Sequence, residues 1–310
     1  MIVVCGETLI DLVHVDGELW RALPGGSPAN TAVALARLGT PTAILARVSA
    51  DAFGVRLRER LRDNDVDQRF VVEARQPSTV AVVDVDDAGV ARYSFYLKDT
   101  ADWQWSTDEI PATFEPSVAA IHAGSMALLV PPGGALLEAM LRRERSQRVI
   151  SIDPNVRAAI CPDVDAYRDI VERWLTAAHI VKASADDVSW LYPDRSRHDV
   201  LLDWSTRGPA VVVMTLGVDG ALARTAAGEL VQAPGVEVDV VDTIGAGDTF
   251  TAGFLYALEQ LHCLDVETLA TLDGARLETA LRYAVRASAV TCSREGADPP
   301  YAQDLPPVGG

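Results

Sequence analysis

DTIGAGDTF, residues 242–250, stands between a β-branched run at 236–241 and an Ala-rich segment passing Phe254, Leu255 and Leu258. That change of pattern predicts a strand over 236–241, a tight turn, and a long helix starting near Thr249. Gly245 and Gly247 let the backbone bend where side chains would obstruct it. A helix N-terminus presents free N–H groups and the positive end of the helix dipole, so the turn can receive a phosphate. Asp248 shares that turn. Two roles fit its carboxylate: capping the helix, or taking a proton from a hydroxyl that attacks the phosphate. The stretch is not GxxxxGK[ST], which occurs nowhere in the chain, and Phe250 excludes GxGxxG.

Outward from this turn, short β-branched runs alternate with Ala/Leu/Arg-rich segments. Strands are expected at 2–4, 43–48, 119–122, 149–153, 180–182 and 210–216, and helices at 29–38, 53–64, 134–145, 167–177, 200–205 and 277–291. The alternation argues for βαβ units around a mostly parallel sheet. Two places break the rhythm. Runs at 80–85 and 92–96 flank Asp86-Asp87-Ala88-Gly89, and 13–20 is centred on Asp16-Gly17. Both read as hairpins, together a small β appendage. The expected division is a core of 1–12, 21–78 and 104–310 and an appendage of 13–20 and 79–103. The tail, 298–310, is rich in Pro and Gly and reads as irregular.

With 310 residues, 49% of them hydrophobic, the chain can bury a large core. Its 27 Lys and Arg against 44 Asp and Glu give a net charge of −17, which argues against nonspecific nucleic-acid binding. No apolar run is long enough for a membrane helix, and no basic region precedes the N-terminal strand, so a cytoplasmic protein with no membrane partner is expected. Cys5, Cys161, Cys263 and Cys292 are scattered without a CxxC pair, against a zinc site or disulfide framework.

Two further segments point to a ligand. Gly25-Gly26-Ser27-Pro28-Ala29-Asn30 opens an Ala-rich helix. Its glycines let a ligand approach the backbone, and the Asn30 amide both donates and accepts, which suits a polyhydroxylated molecule. The same segment also reads as a capped helix entry, with Ser27 as cap and Pro28 in the first turn. Asp11 follows the first strand, at the end of an open α/β sheet where ligands bind. It reads either as an acceptor for two hydroxyls or as a solvated loop residue.

GGSPANTAVALARLG (25–39) and DTIGAGDTFTAGF (242–254), in this order, resemble the two signatures of the PfkB, or ribokinase-like, carbohydrate kinase family. The likeness runs from residue 1 to about 300. It implies a three-layer α/β/α fold with a mostly parallel sheet and a small β-sheet lid, often shared across a homodimer. It implies transfer of the γ-phosphate of ATP to a sugar hydroxyl with Mg2+. Asp248 would be the catalytic base, and the Gly245, Ala246, Gly247 and Asp248 N–H groups would form an anion hole. Asp11, Gly25, Gly26, Asn30, Tyr96 and Arg157 would hold the sugar. Lys182, Ser184, Thr215, Gly217, Gly220 and Ser288 would lie on the nucleotide side. Asp187 would reach Mg2+ through water, and Asp242 with the Ile244 carbonyl would hold K+. One departure stands out: where the family usually carries Asn-x-x-Glu, this chain has Ser184 and Asp187.

GETLIDLV at 6–13 and FYLKDTADW at 95–103 look like the fructokinase branch, so fructose is the first expectation. A 2-keto-3-deoxygluconate kinase is the nearest rival, because Lys98 or Arg157 could pair with a substrate carboxylate, and ribokinase comes next. A catalytically silent sugar-binding sensor is the reading from a different class. A dinucleotide dehydrogenase would need GxGxxG after the first strand, which Gly6-Glu7-Thr8 does not provide.

Overall fold

Ile2–Cys5 (β1) is buried at every residue, yet its side chains serve two different cores. Ile2 and Val4 join one apolar cluster, Val3 and Cys5 another. A strand alternates its side chains between faces, so both faces of its sheet are covered. The computed structural model describes residues 1–85 and 91–310, and the turn expected at 86–89 falls outside them.

The strands after β1 are Leu9–Asp16 (β2), Leu19–Gly25 (β3), Thr42–Ser49 (β4), Asp67–Ala74 (β5), Val80–Val85 (β6), Ala91–Tyr96 (β7), Ala120–Gly124 (β8), Val149–Asp153 (β9), Ile180–Ser184 (β10), Val211–Thr215 (β11), Ala221–Thr225 (β12) and Leu230–Ala233 (β13). The helices are Ser27–Arg37 (α1), Ala52–Asp63 (α2), Ser125–Leu129 (α3), Gly133–Glu144 (α4), Val164–Leu175 (α5), Ala185–Leu191 (α6), Arg197–Ser205 (α7), Ala246–Gln260 (α8), Val266–Ala270 (α9) and Gly274–Cys292 (α10). One sheet has the order β13-β12-β11-β10-β9-β8-β1-β4-β5. It is parallel throughout except where β12 meets β11 and β13. On one face lie α1, α2, α8 and α10, through residues such as Leu35, Leu57, Phe254 and Leu281. On the other lie α4 to α7, through Leu141, Trp174, Leu191 and Trp204. This is the expected three-layer α/β/α arrangement.

The second sheet has the order β3-β2-β6-β7. Its first hairpin runs from Leu9 to Gly25, longer at both ends than the turn pattern at 13–20 suggested. Asp11 therefore lies inside a strand of this small sheet, opposite Leu23 and Ala81, rather than in a loop after β1. Leu9 and Ala81 seat the sheet on Trp103 and Met126.

The strand expected at 236–241 does not form. Pro234-Gly235 ends the edge strand β13, and a Cβ on Gly235 would stand 1.9 Å from the Val218 carbonyl. The chain turns away there, and the Val241 and Asp242 N–H groups donate to the Cys292 carbonyl instead of to a strand.

Candidate active site

The turn before α8 brings the sequence signals together. Gly245 is the N-cap in the left-handed region, at φ 75°, and no side chain caps the helix. A Cβ there would also meet Ala297 at 2.7 Å. Asp248 sits in the first turn of α8 but does not cap it. Its Oδ1 accepts from Ser27 Oγ at 2.6 Å and its Oδ2 from Asn30 Nδ2 at 2.9 Å. Ser27, for its part, is not the cap of α1: Gly26 holds that position. The capping role is therefore not the one Asp248 takes: its carboxylate faces α1 instead.

Burial raises the Asp248 pKa, against hydrogen bonds from Ser27 and Asn30 and the nearby Lys182 charge. Lys182 donates to Asp153 Oδ2 at 2.8 Å in a buried pair. Its burial favours loss of the proton, yet the Asp153 charge prevails and holds its pKa up. A Cβ on Gly247 would come to 3.0 Å of Lys182 Nζ, so the ammonium stands over the glycine turn. Asn155 links the two halves: its N–H donates to Asp153 Oδ1 and its Nδ2 to Ser27 Oγ.

Ser27, Asn30, Asn155, Lys182 and Asp248 line a cavity of about 530 Å3 with Glu7, Asp11, Gly26, Phe95, Met126 and Arg157. Arg157 is fixed by Asn155, through Oδ1 at 2.6 Å. Burial pushes Asp11 up to about 6, with Arg60 and Arg157 opposing the shift and Asp248 adding to it. Gly25 leaves room for it: a Cβ there would fall 2.0 Å from Asp11 Oδ2, so the carboxylate would have to move aside. Burial likewise pushes Glu7 up to about 8. Tyr96 is exposed and lines a separate groove with Lys98 and Thr100, while its strand neighbour Phe95 reaches the cavity. Sequence reading gave Ser27 only the part of a helix cap and did not name Phe95, Met126 or Glu7 as site residues; their places depend on partners far along the chain.

A second cleft, of about 480 Å3, lies across the glycine turn and shares Thr243 and Gly247 with the first. Thr215, Gly217, Gly220 and Ser288 line it with Val236, Val240, Phe250 and Val285. Ser288 Oγ donates to the Ala246 carbonyl at 2.9 Å, which tethers the turn to α10.

The remaining sites sit differently. Ser184 caps α6 in a reciprocal box with Asp187. Asp187 Oδ2 accepts from Ser184 N–H and Oδ1 from Val156 N–H. Burial and then the Asp153 charge raise its pKa. Asp242 accepts from the Ile244 and Gly296 N–H groups. No group of three or more His, Cys, Asp or Glu side chains placed to hold a metal occurs among the described residues. No helix among them is long and apolar enough to cross a membrane.

A carboxylate held by two donors, next to a glycine turn that two clefts share and with an ammonium over that turn, has the parts that moving a phosphoryl group onto a hydroxyl requires. The model of the pfkB family carbohydrate kinases matches residues 1–304, and the chain belongs to that family of phosphotransferases. It is 38% identical over 282 residues to a fructokinase of Rhizobium leguminosarum bv. trifolii, covering 89% of this chain and 85% of that protein. It is 31% identical to an aminoimidazole riboside kinase of Salmonella typhimurium, over 86% of this chain and 83% of that one. A Vibrio cholerae fructokinase structure with fructose, ADP and calcium superimposes with a TM-score of 0.82 at 28% identity, over 96% of this chain and 94% of the other.

Proposed function

We propose that this sugar kinase transfers the γ-phosphate of ATP to a hydroxyl of fructose, with Asp248 as the base. The observation that carries the reading is the anchoring of Asp248 by Ser27 and Asn30 where the two clefts meet. The sugar occupies the polar cavity, with its hydroxyls on Asp11, Asn30 and the backbone at Gly25 and Gly26, and with Arg157 at the wall. The nucleotide occupies the apolar cleft along Thr215, Gly217, Gly220 and Ser288.

As the sugar oxygen attacks the γ-phosphorus, its proton passes to Asp248 and the bond from phosphorus to the ADP oxygen breaks. The N–H groups of Gly245, Ala246, Gly247 and Asp248, with Lys182 above them, meet the charge gathering on the transferred group. A raised carboxylate pKa suits a base that must let its proton go again.

Mg2+ bound to the phosphates would neutralise their charge. It needs only one or two protein carboxylates beside phosphate and water, and Asp187, next to Asp153, fits that demand through water. The oxygen-only pair of Asp242 and the Ile244 carbonyl suits a hard cation such as K+. The small sheet of β3, β2, β6 and β7 acts as the lid. Its exposed Val15, Leu19, Trp20 and Tyr96 fit a homodimer formed through the lid. Arg157 in the cavity wall favours 2-keto-3-deoxygluconate as the second substrate to try.

ADP release with fructose, 2-keto-3-deoxygluconate, ribose and an aminoimidazole riboside tests the reading. The expected result is turnover with fructose that Asp248→Asn abolishes while sugar binding persists. Wild-type turnover in that variant overturns the base, and no turnover with any sugar favours the silent sensor.

A further inference from the structure

Arg60, on α2, reaches into neither cleft, yet it touches the frame of the site at two points. Its Nη1 donates to the Pro24 carbonyl at 2.7 Å, at the end of β3 next to Gly25. Its Nη2 reaches the Ala297 carbonyl at 3.3 Å. Ala297 is the residue that packs against Gly245, and its neighbour Gly296 donates to Asp242 at the start of the glycine turn. The same segment is tied to the small sheet by Arg21–Glu295 and to α1 by Arg37, which donates to Asp298 and to the Pro299 carbonyl. One guanidinium thus spans the sugar-side glycines and the bed of the phosphate turn.

We propose that Arg60 is a positioning residue for phosphoryl transfer, holding the Gly25 end of the small sheet and the Gly245 turn in register. This rests on the reading of the polar cavity as the sugar site. A planar fork with two donors aimed at two carbonyls does this, and a lysine cannot. Misplacement of reacting groups by about 1 Å can cost on the order of 100-fold in rate, so a brace of this kind acts on turnover more than on binding.

A second effect separates positioning from mere support of the fold. The charged groups facing Asp11 are Arg60 from α2, Arg157 from the loop after β9, and Asp248 from α8. Those facing Arg60 are Arg37, Asp11, Asp248 and Asp298. Arg60 favours the Asp11 carboxylate, so its removal lets the Asp11 pKa climb further.

Arg60→Met and Arg60→Lys, checked for native thermal unfolding, test the proposal by kcat and KM across pH 5–9. At pH 8 both should lose on the order of tenfold in kcat, with the sugar KM within about twofold of wild type. The acid limb of kcat/KM should move to higher pH in Arg60→Met and stay in place in Arg60→Lys, which keeps the charge. Wild-type kcat in a folded variant overturns the proposal, as does an unmoved limb in Arg60→Met. If Arg60→Met does not fold, the kcat of Arg60→Lys decides. Asp248→Asn run alongside, with sugar binding measured in each variant, separates the two readings: if it retains turnover the proposed catalytic site fails, whereas loss there with normal Arg60 variants sinks only the brace.

Discussion

The two clefts meet at one glycine turn and are built in opposite ways. The cavity proposed for the sugar is assembled from β2, α1, α8 and the loop after β9, and its polar groups are bound to each other. Asp248 is held by Ser27 and Asn30, Ser27 by Asn155, Lys182 by Asp153. The cleft proposed for the nucleotide is lined chiefly by apolar residues, among them Val218, Val236, Val240 and Val285. Val218 and Val240 are well exposed, and few side-chain hydrogen bonds fix that rim. The contrast shows where discrimination is built. A buried polar network rejects a molecule that leaves its groups unpaired, while an apolar slot grades ligands gently.

Substitutions on the two sides should therefore differ in kind as well as size. The largest effect is expected for Asp248→Asn, a loss of about 1,000-fold or more in kcat in a steady-state assay, since both the base and its charge go. Lys182→Met follows. It strands Asp153 in the interior without its partner and should destabilise the fold by about 3–5 kcal/mol in urea unfolding; an unchanged midpoint would mean that water reaches Asp153. Gly25→Ala should raise the sugar KM on the order of tenfold and leave the nucleotide KM alone, because its methyl group displaces the Asp11 carboxylate at a cost of about 1–3 kcal/mol. Val240→Asp should do the reverse and more weakly, raising the nucleotide KM a few-fold, about 1 kcal/mol, with the sugar KM unchanged. Equal effects of the last two on both constants would erase the contrast between the clefts.

The same contrast explains what could be read before any coordinates. The glycine turn at 245–248 and the GGSPAN entry announce themselves locally, because the conformations they need are written in adjacent residues. The parallel sheet was legible from runs such as 149–153, whose every residue is buried. What pairs with what was not. Ser27 read alone is a helix cap; its hydroxyl turns to Asp248 because Gly26 already starts α1. The run at 236–241 has strand-forming residues but no neighbour to pair with once Gly235 packs on Val218, so tertiary context overrides propensity. Tyr96 and Phe95 differ only by the alternation of β7, and no pattern in that segment says which of them faces inward. Glu7 reads only as one polar residue of the GETLIDLV run, yet it is buried in the cavity wall.

Asp248 is separated from Ser27 by 221 residues and from Asn30 by 218. A chain emerging from a ribosome can therefore begin to pair its early strands long before it owns a working site. Any fragment that stops short of α8 contains the sugar-side glycines and lacks the base. Activity regained during refolding would then report the docking of α1 on α8, a late and long-range event, rather than the formation of the sheet. On the proposed mechanism, a half-made copy has no base and consumes no nucleotide.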